Sequence, residues 1–261
     1  MKLAILFWFY KEQEICENRL KLLRKYNPEM KIFGLYGGQT SEAGKYQNQL
    51  GEYLDDFYTF TSGKDEEWKW LNGDLMILDW YKKRGRNLDW DSIAIIQWDT
   101  LVLDSLSKQF PGIKKNQIFL SGVRPLDSEV ERHWDWTRTD SDERKNYLAY
   151  IEYIKKEYNY SDGLLASLFI FQIFPRIYFE KYLSVSNKGI GMLEYKVPTY
   201  AKIFNLPFYN KDLGVRWFSD EAKPLNAIPE EIKDDYIMEQ LSKDKGWRIF
   251  HPYYKIFRKG T

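Results

Sequence analysis

The chain has 261 residues, 44% of them hydrophobic and 30% charged, which supplies enough apolar material for a sizeable core. Lys and Arg number 39 against 38 Asp and Glu, a net charge of +1, so there is no large single-sign field of the kind that attracts nucleic acid or anionic lipid. The only cysteine, Cys16, excludes an internal disulfide and a multi-thiolate zinc site and suits a reducing compartment, so the cytoplasm is the expected location.

Taken in chain order, the first half alternates strand and helix patterns. "KLAILFWF" is a continuous apolar run of strand length, too short for the roughly 20 residues of a membrane helix and without a signal-peptide cleavage site. "EQEICENRLKLLRKYNP" places Ile15, Leu20, Leu22 and Leu23 at helical spacing before Pro28 stops it. "KIFGLY" reads as a second strand closed by Gly37 and Gly38, and "FYTF" as a short third. "DEEWKWLNGDLMILDWYKKRG" predicts one long helix ended by Gly85, and "SIAIIQWDTLVLD" a fourth strand. Short buried strands alternating with amphipathic helices predict an α/β fold with a mostly parallel sheet flanked by helices.

The second half is less regular. "FPGIKKNQIFLSG" predicts a strand ending at Gly122, and a helix begins near Glu143. "GLLASLFIFQIF" (Gly163 to Phe174) is buried strand or core, again too short to span a membrane. "PRIYFEKYL" is helical with Pro175 in its first turn, Pro198 is expected to interrupt "MLEYKVPTYAKIF", and "GWRIFHPYYKIF" predicts a closing strand and turn. With no repeat, low-complexity tract or linker, residues 1–261 are expected to form one domain with a C-terminal elaboration. No segment is expected to cross a membrane, which leaves peripheral contact as the only membrane role open.

The aromatic content departs from the average: 10 Trp, 20 Tyr and 16 Phe. Flat rings build cores, and they also make platforms for sugars and bases. Asp99 is the other departure, an acid at the exit of an otherwise apolar strand. Open parallel sheets bind ligands outside the carboxyl ends of their strands. There an acid is a turn cap, half of an ion pair, or a ligand for Mg2+ or Mn2+, which take one or two carboxylates and fill their shells with substrate phosphates. His251, in "IFHPYYK", and the weaker His133 are the only histidines available to join it.

The alternation of elements, followed by a strand ending in "QWDT", resembles the nucleotide-sugar-dependent glycosyltransferases of the GT-A fold, whose Asp-x-Asp motif ends such a strand. "WLNGDLMILDWY" followed by "IAIIQWDTLVLD" is similar to a bacterial branch of that superfamily with a Trp-Asp pair in the motif. The resemblance covers residues 2 to about 125 and, more thinly, the tail from about 248 to 255. It implies a donor-binding half at 1–125 and an acceptor-side half at 126–261 with a metal-binding tail. It assigns the metal to Asp99 and His251, with Gln97 standing where the first aspartate usually is and Trp98 inside the motif. It also implies nucleotide or sugar contacts from Tyr10, Asn72 and Asp74, a phosphate contact from Lys255 in "HPYYK", and a cofactor of Mn2+ or Mg2+ beside a nucleotide-diphosphate sugar.

Glycosyl transfer also needs an acceptor, a carbohydrate or other hydroxyl compound, and in inverting enzymes a base. Glu194, at the start of a helix after Gly189 and Gly191, and Asp135, between Trp134 and Trp136, are the candidates, with Asp162 a further one. Trp134 and Trp136 beside Asp135 suit a grip on a sugar, and Gly122, with Ser121 and Arg124, lets backbone approach the donor. Two other readings stay open: a non-catalytic carbohydrate- or nucleotide-binding module, and a nucleotidyltransferase. The latter lacks its usual glycine-rich basic loop, since "FYKEQE" has no glycine.

Overall fold

A computed structural model of the chain describes residues 1–218 and 221–258. The first half runs β1 (Leu3–Phe9), α1 (Gln13–Tyr26), β2 (Ile32–Tyr36), α2 (Ala43–Leu50), β3 (Asp56–Thr59), α3 (Glu66–Leu71), α4 (Gly73–Lys83), β4 (Ser92–Gln97) and β5 (Leu101–Val102). The second half continues α5 (Leu106–Gln109), β6 (Phe119–Leu120), β7 (Arg124–Pro125), α6 (Ser128–His133), α7 (Arg144–Tyr158), β8 (Leu165–Ala166), β9 (Phe171–Pro175), α8 (Arg176–Leu183) and α9 (Leu193–Ile203). It ends with β10 (Val215–Arg216), β11 (Leu225–Asn226), α10 (Asp234–Ser242) and β12 (Ile249–Phe250).

Six strands form the central sheet in the order β3-β2-β1-β4-β9-β6. The β1–β2, β2–β3 and β1–β4 pairs are parallel, and β9 runs antiparallel to both β4 and β6. The expected mostly parallel sheet flanked by helices is therefore present, with one reversed strand. β1 and β4 are apolar at consecutive positions because the layers on both faces of the sheet cover them, so neither face has to meet water. The reversal of β9 has a consequence for the site. Its N-terminal approach, Leu168 to Ile170, arrives at the same sheet edge where β1 and β4 end.

Two sequence expectations are corrected. The helix expected through Trp68 to Arg84 is broken at Asn72, whose backbone leaves the helical region (φ −123°, ψ 36°) and whose amide caps the Trp68 carbonyl. The break seats Trp8: a Cβ on Gly73 would stand 2.4 Å from its indole ring. Conversely, α9 runs unbroken through Pro198. A proline cannot donate to the carbonyl four residues back, here that of Glu194. That carbonyl accepts instead from the Ser167 amide at 2.8 Å, so the interruption becomes a tie between β8 and α9.

The tail is pinned into this frame. β12 pairs antiparallel with β5, and the Tyr253 amide donates to the Asp99 carbonyl at 2.9 Å. Arg19 on α1 is buried, with its guanidinium 5.1 Å from the Tyr253 ring centre, and it donates to the carbonyls of Tyr253 (2.7 Å) and Lys255 (2.9 Å). Burial pulls its pKa down to about 10, which leaves it charged at neutral pH. No described helix is long and apolar enough to cross a membrane.

Arg19→Met removes two charge-assisted hydrogen bonds to the tail while keeping most of the buried stem. It should cost about 2–4 kcal/mol of stability and lower the thermal midpoint by roughly 5–10 °C. Hydrogen exchange should also show faster opening of the Tyr253 and Phe257 amides; a midpoint equal to wild type would contradict this role for Arg19.

Candidate functional site

A cleft of about 700 Å³ opens at the sheet edge where β1 and β4 end, and its walls come from both halves of the chain. β1 and the residues just past it supply Trp8, Tyr10 and Lys11, the end of β4 and the turn after it supply Gln97, Trp98 and Asp99, and the approach to β9 supplies Leu168 to Ile170. The second half also supplies Trp134, Asp135, Trp136, Glu194, Trp217 and His251 to the lining. Six of the ten tryptophans line this one space: Trp8, Trp70, Trp98, Trp134, Trp136 and Trp217. A smaller recess of about 330 Å³ continues from it between Trp8, Tyr10, Gly37, Gly38, Lys69 and Met76.

Asp99 follows β4 in a turn closed by the Thr100 amide on the Gln97 carbonyl (3.0 Å). Its side chain is buried, and its Oδ1 receives no hydrogen bond among the described residues. His251 Nε2 stands 3.5 Å from that oxygen, while Nδ1 lies 2.8 Å from the Asn226 carbonyl. A carbonyl only accepts, so Nδ1 carries the hydrogen. A neutral ring would then aim the Nε2 lone pair at a carboxylate oxygen, two acceptors face to face in a dry place. Only a positive charge between them, or on the ring, relieves this. Burial lowers the His251 pKa, but the charge of Asp99, the Asn226 carbonyl and Glu194 together raise it above the usual imidazole value.

These two groups fit a divalent cation. The carboxylate oxygen is orphaned, the imidazole is oriented through its other nitrogen as metal-ligating histidines are, and both face the cleft. No group of three or more His, Cys, Asp or Glu side chains able to hold a metal occurs among the described residues. A metal here would therefore take Asp99 and His251 from the chain and the rest of its shell from a ligand and water.

Gln97, on the motif's first position, turns its amide to the Phe169 carbonyl (2.6 Å). The Phe169 amide in turn donates to Glu194 Oε1 (2.6 Å). Glu194 thus reaches the cleft from the start of α9, linked through the backbone of one residue, Phe169, to the strand that delivers Asp99. Burial pushes its pKa up to about 7 against the opposing pull of the Phe169 amide, His251 and Trp136. Such a group exchanges a proton near neutral pH.

The other sequence candidates divide. Tyr10 and Trp98 line the cleft edge to face, with ring centres 6.0 Å apart, and Lys11 Nζ lies within 5.4 Å of both centres. Asp135 lines the cleft at its solvent side and pairs with Arg138 (3.1 Å), and His133 lines it near Phe218. Asp74 is corrected: it is buried against Lys196 (2.9 Å) and Tyr182 (2.5 Å), inside the packing of α4, α8 and α9 and off the cleft wall. Asn72 caps a helix, and Lys255 turns outward to Glu231 (3.4 Å) and Asp234 (3.5 Å). Gly122 acts from behind the wall. At φ +63° it brings its carbonyl to the Trp217 indole N–H (2.9 Å), and a Cβ there would strike Val215 at 2.6 Å. Asp162 lies elsewhere, 3.6 Å from Lys202.

Lys11, Trp70 and Trp217 were not singled out from the sequence. Lys11 had a usable signal, as the first cation past the end of a buried parallel strand. Trp70 and Trp217 had none, since they reach the cleft only through folding of distant segments.

No protein-family model matches the chain, and no curated protein sequence does. Solved structures similar to it include the following two. One is a cytidylyltransferase from Leptospira borgpetersenii serovar Hardjo-bovis, 12% identical over 81% of this chain and 76% of that one, with a TM-score of 0.42. The other is the galactosyltransferase LgtC in complex with donor and acceptor sugar analogues, 12% identical over 79% of this chain and 73% of that one, with a TM-score of 0.44. These are likenesses of fold.

Two measurements follow. Asp74→Ala strands the buried Lys196 ammonium and should cost about 3–5 kcal/mol of stability in denaturant unfolding; an unchanged midpoint would refute the buried pair. Glu194 and His251 both bind protons more tightly folded than unfolded, so stability should fall as pH rises, for Glu194 between 4.5 and about 7. Glu194→Gln should flatten that part of the profile, and melts of wild type and variant with the same slope would be inconsistent with a buried, proton-binding Glu194.

Proposed function

We propose that the chain is a glycosyltransferase that moves a sugar from a nucleoside diphosphate to an acceptor hydroxyl, with Mn2+ or Mg2+ held by Asp99 and His251. The observation that carries this reading is the orphaned Asp99 Oδ1 facing His251 Nε2 at 3.5 Å on the wall of a large cleft. A bound divalent ion supplies electrostatic stabilisation to the charge that develops on a departing diphosphate. With two protein ligands on offer among the described residues, a site of this kind draws a phosphorylated ligand to complete it.

The chain's own groups take the remaining roles. Residues 1–125 hold the donor: Lys11 gives a positive charge for phosphate beside Tyr10 and Trp98, and the recess next to Gly37 and Gly38 receives the nucleoside. Residues 126–261 bring the acceptor side and the metal-binding tail. In a direct displacement the acceptor oxygen bonds to the anomeric carbon and the bond from that carbon to the diphosphate oxygen breaks. The electron pair leaves on the diphosphate, and the hydroxyl proton passes to Glu194. Glu194 suits this better than Asp135, which is exposed and already paired with Arg138. A single, buried cysteine suits a reducing cytoplasm.

One observation favours a second reading, a binding module without turnover: Gln97 uses its amide on the Phe169 carbonyl and brings no second carboxylate to the cation. Calorimetry with a panel of UDP and GDP sugars, with and without Mn2+, tests both. Mn2+ should strengthen binding of at least one nucleotide about tenfold or more, and Asp99→Ala or His251→Ala should abolish that gain. Absence of binding by every nucleotide removes the transferase reading, while metal-dependent binding with no release of nucleoside diphosphate in the presence of acceptors favours the module.

A further inference from the structure

One corner of the cleft is built from two indoles, one of which, Trp70, also lines the smaller recess. Trp70 and Trp136, 66 residues apart in the chain, stand with ring centres 5.7 Å apart at 51°, and Trp70 is 58% exposed. Burial of large apolar residues is the rule in this chain, so an indole left in water beside a second indole is a departure with a cost. Trp136 and Glu194, the group placed to accept a proton, line the same cleft. Interleaved with the rings are groups of both signs and neutral amides: Asp135, Arg216 and Asn226 all line the same space.

That composition selects among hydroxyl compounds. A pyranose offers flat faces of C–H groups that lie on indole rings and a rim of hydroxyls that need donors and acceptors around it. We propose that this corner is a saccharide subsite and that the acceptor is a carbohydrate whose ring stacks on Trp70 and Trp136 with one hydroxyl directed at Glu194. The proposal rests on the transferase reading for the word acceptor, but the subsite itself does not depend on it.

The test is saturation-transfer NMR together with tryptophan fluorescence, using the free disaccharides lactose, maltose, cellobiose and chitobiose, with UDP and GDP binding measured on the same sample. At least one disaccharide should receive saturation on its ring protons and perturb the fluorescence. Trp70→Ala, at an exposed position that leaves the core intact, should weaken it roughly tenfold, and Trp136→Ala likewise. Circular dichroism melts of both variants establish that they remain folded. Failure of all four disaccharides to bind overturns the proposal, as does binding unchanged in Trp70→Ala. If the disaccharide binds through the tryptophans but neither nucleotide binds, the subsite stands and the transferase reading falls. If nucleotide binds and a sugar is transferred to a serine peptide or a lipid alcohol with no disaccharide bound, the transferase reading stands and the saccharide subsite is overturned.

Discussion

The pairing of a strand-end carboxylate with an imidazole at 3.5 Å, both largely buried on the cleft wall, is the constraint on which the rest of this site depends. Asp99 Oδ1 and His251 Nε2 come from segments 152 residues apart, and nothing in their immediate neighbourhoods requires them to meet. They meet because β12 lies on β5, the Tyr253 amide reaches the Asp99 carbonyl, and the Asn226 carbonyl fixes the imidazole. Arg19, buried without a carboxylate hydrogen-bonded to it, secures the same tail from the other side. These contacts hold the carboxylate and the imidazole in one fixed arrangement on the cleft wall.

The polar chain that starts at Gln97 extends this frame into the second half. Gln97, the Phe169 peptide and Glu194 form consecutive hydrogen bonds of 2.6 Å, and Pro198 leaves the Glu194 carbonyl free for Ser167. Glu194 is thus held at its carboxyl by the Phe169 amide and at its backbone carbonyl by the Ser167 amide. The reversed β9 is what brings the Phe169 peptide to the ends of the parallel strands. The approach to one antiparallel strand thus joins the ends of β1 and β4 in lining the cleft, and aromatic side chains make up much of the rest.

Much of the frame was legible in the sequence, for local reasons. β1 and β4 are read from unbroken apolar runs because both of their faces are covered, and α1 from its helical spacing of Ile15, Leu20 and Leu23, all buried. Asp99 drew notice because a charge at such a strand's end needs a reason. Misreadings arose where a distant residue decided the local outcome. The indole of Trp8 broke the helix at Asn72, Ser167 let α9 pass through Pro198, and Lys196 took Asp74 away from the cleft. Lys255 was displaced by its pairing with Glu231 and Asp234, acids that the tail meets only once folded.

By itself the sequence determined the alternation of strands and helices, the acid at the exit of β4 and the surplus of aromatic rings, because periodicity and composition act within a few residues. The tertiary structure alone decided that Asp99 faces His251 with no hydrogen bond on its Oδ1, that Gln97 and Glu194 share the Phe169 peptide, and that six tryptophans converge on one cleft. Each of these joins residues dozens to more than a hundred positions apart. Their distance is set by packing and strand pairing across the whole chain, which no short stretch of sequence records.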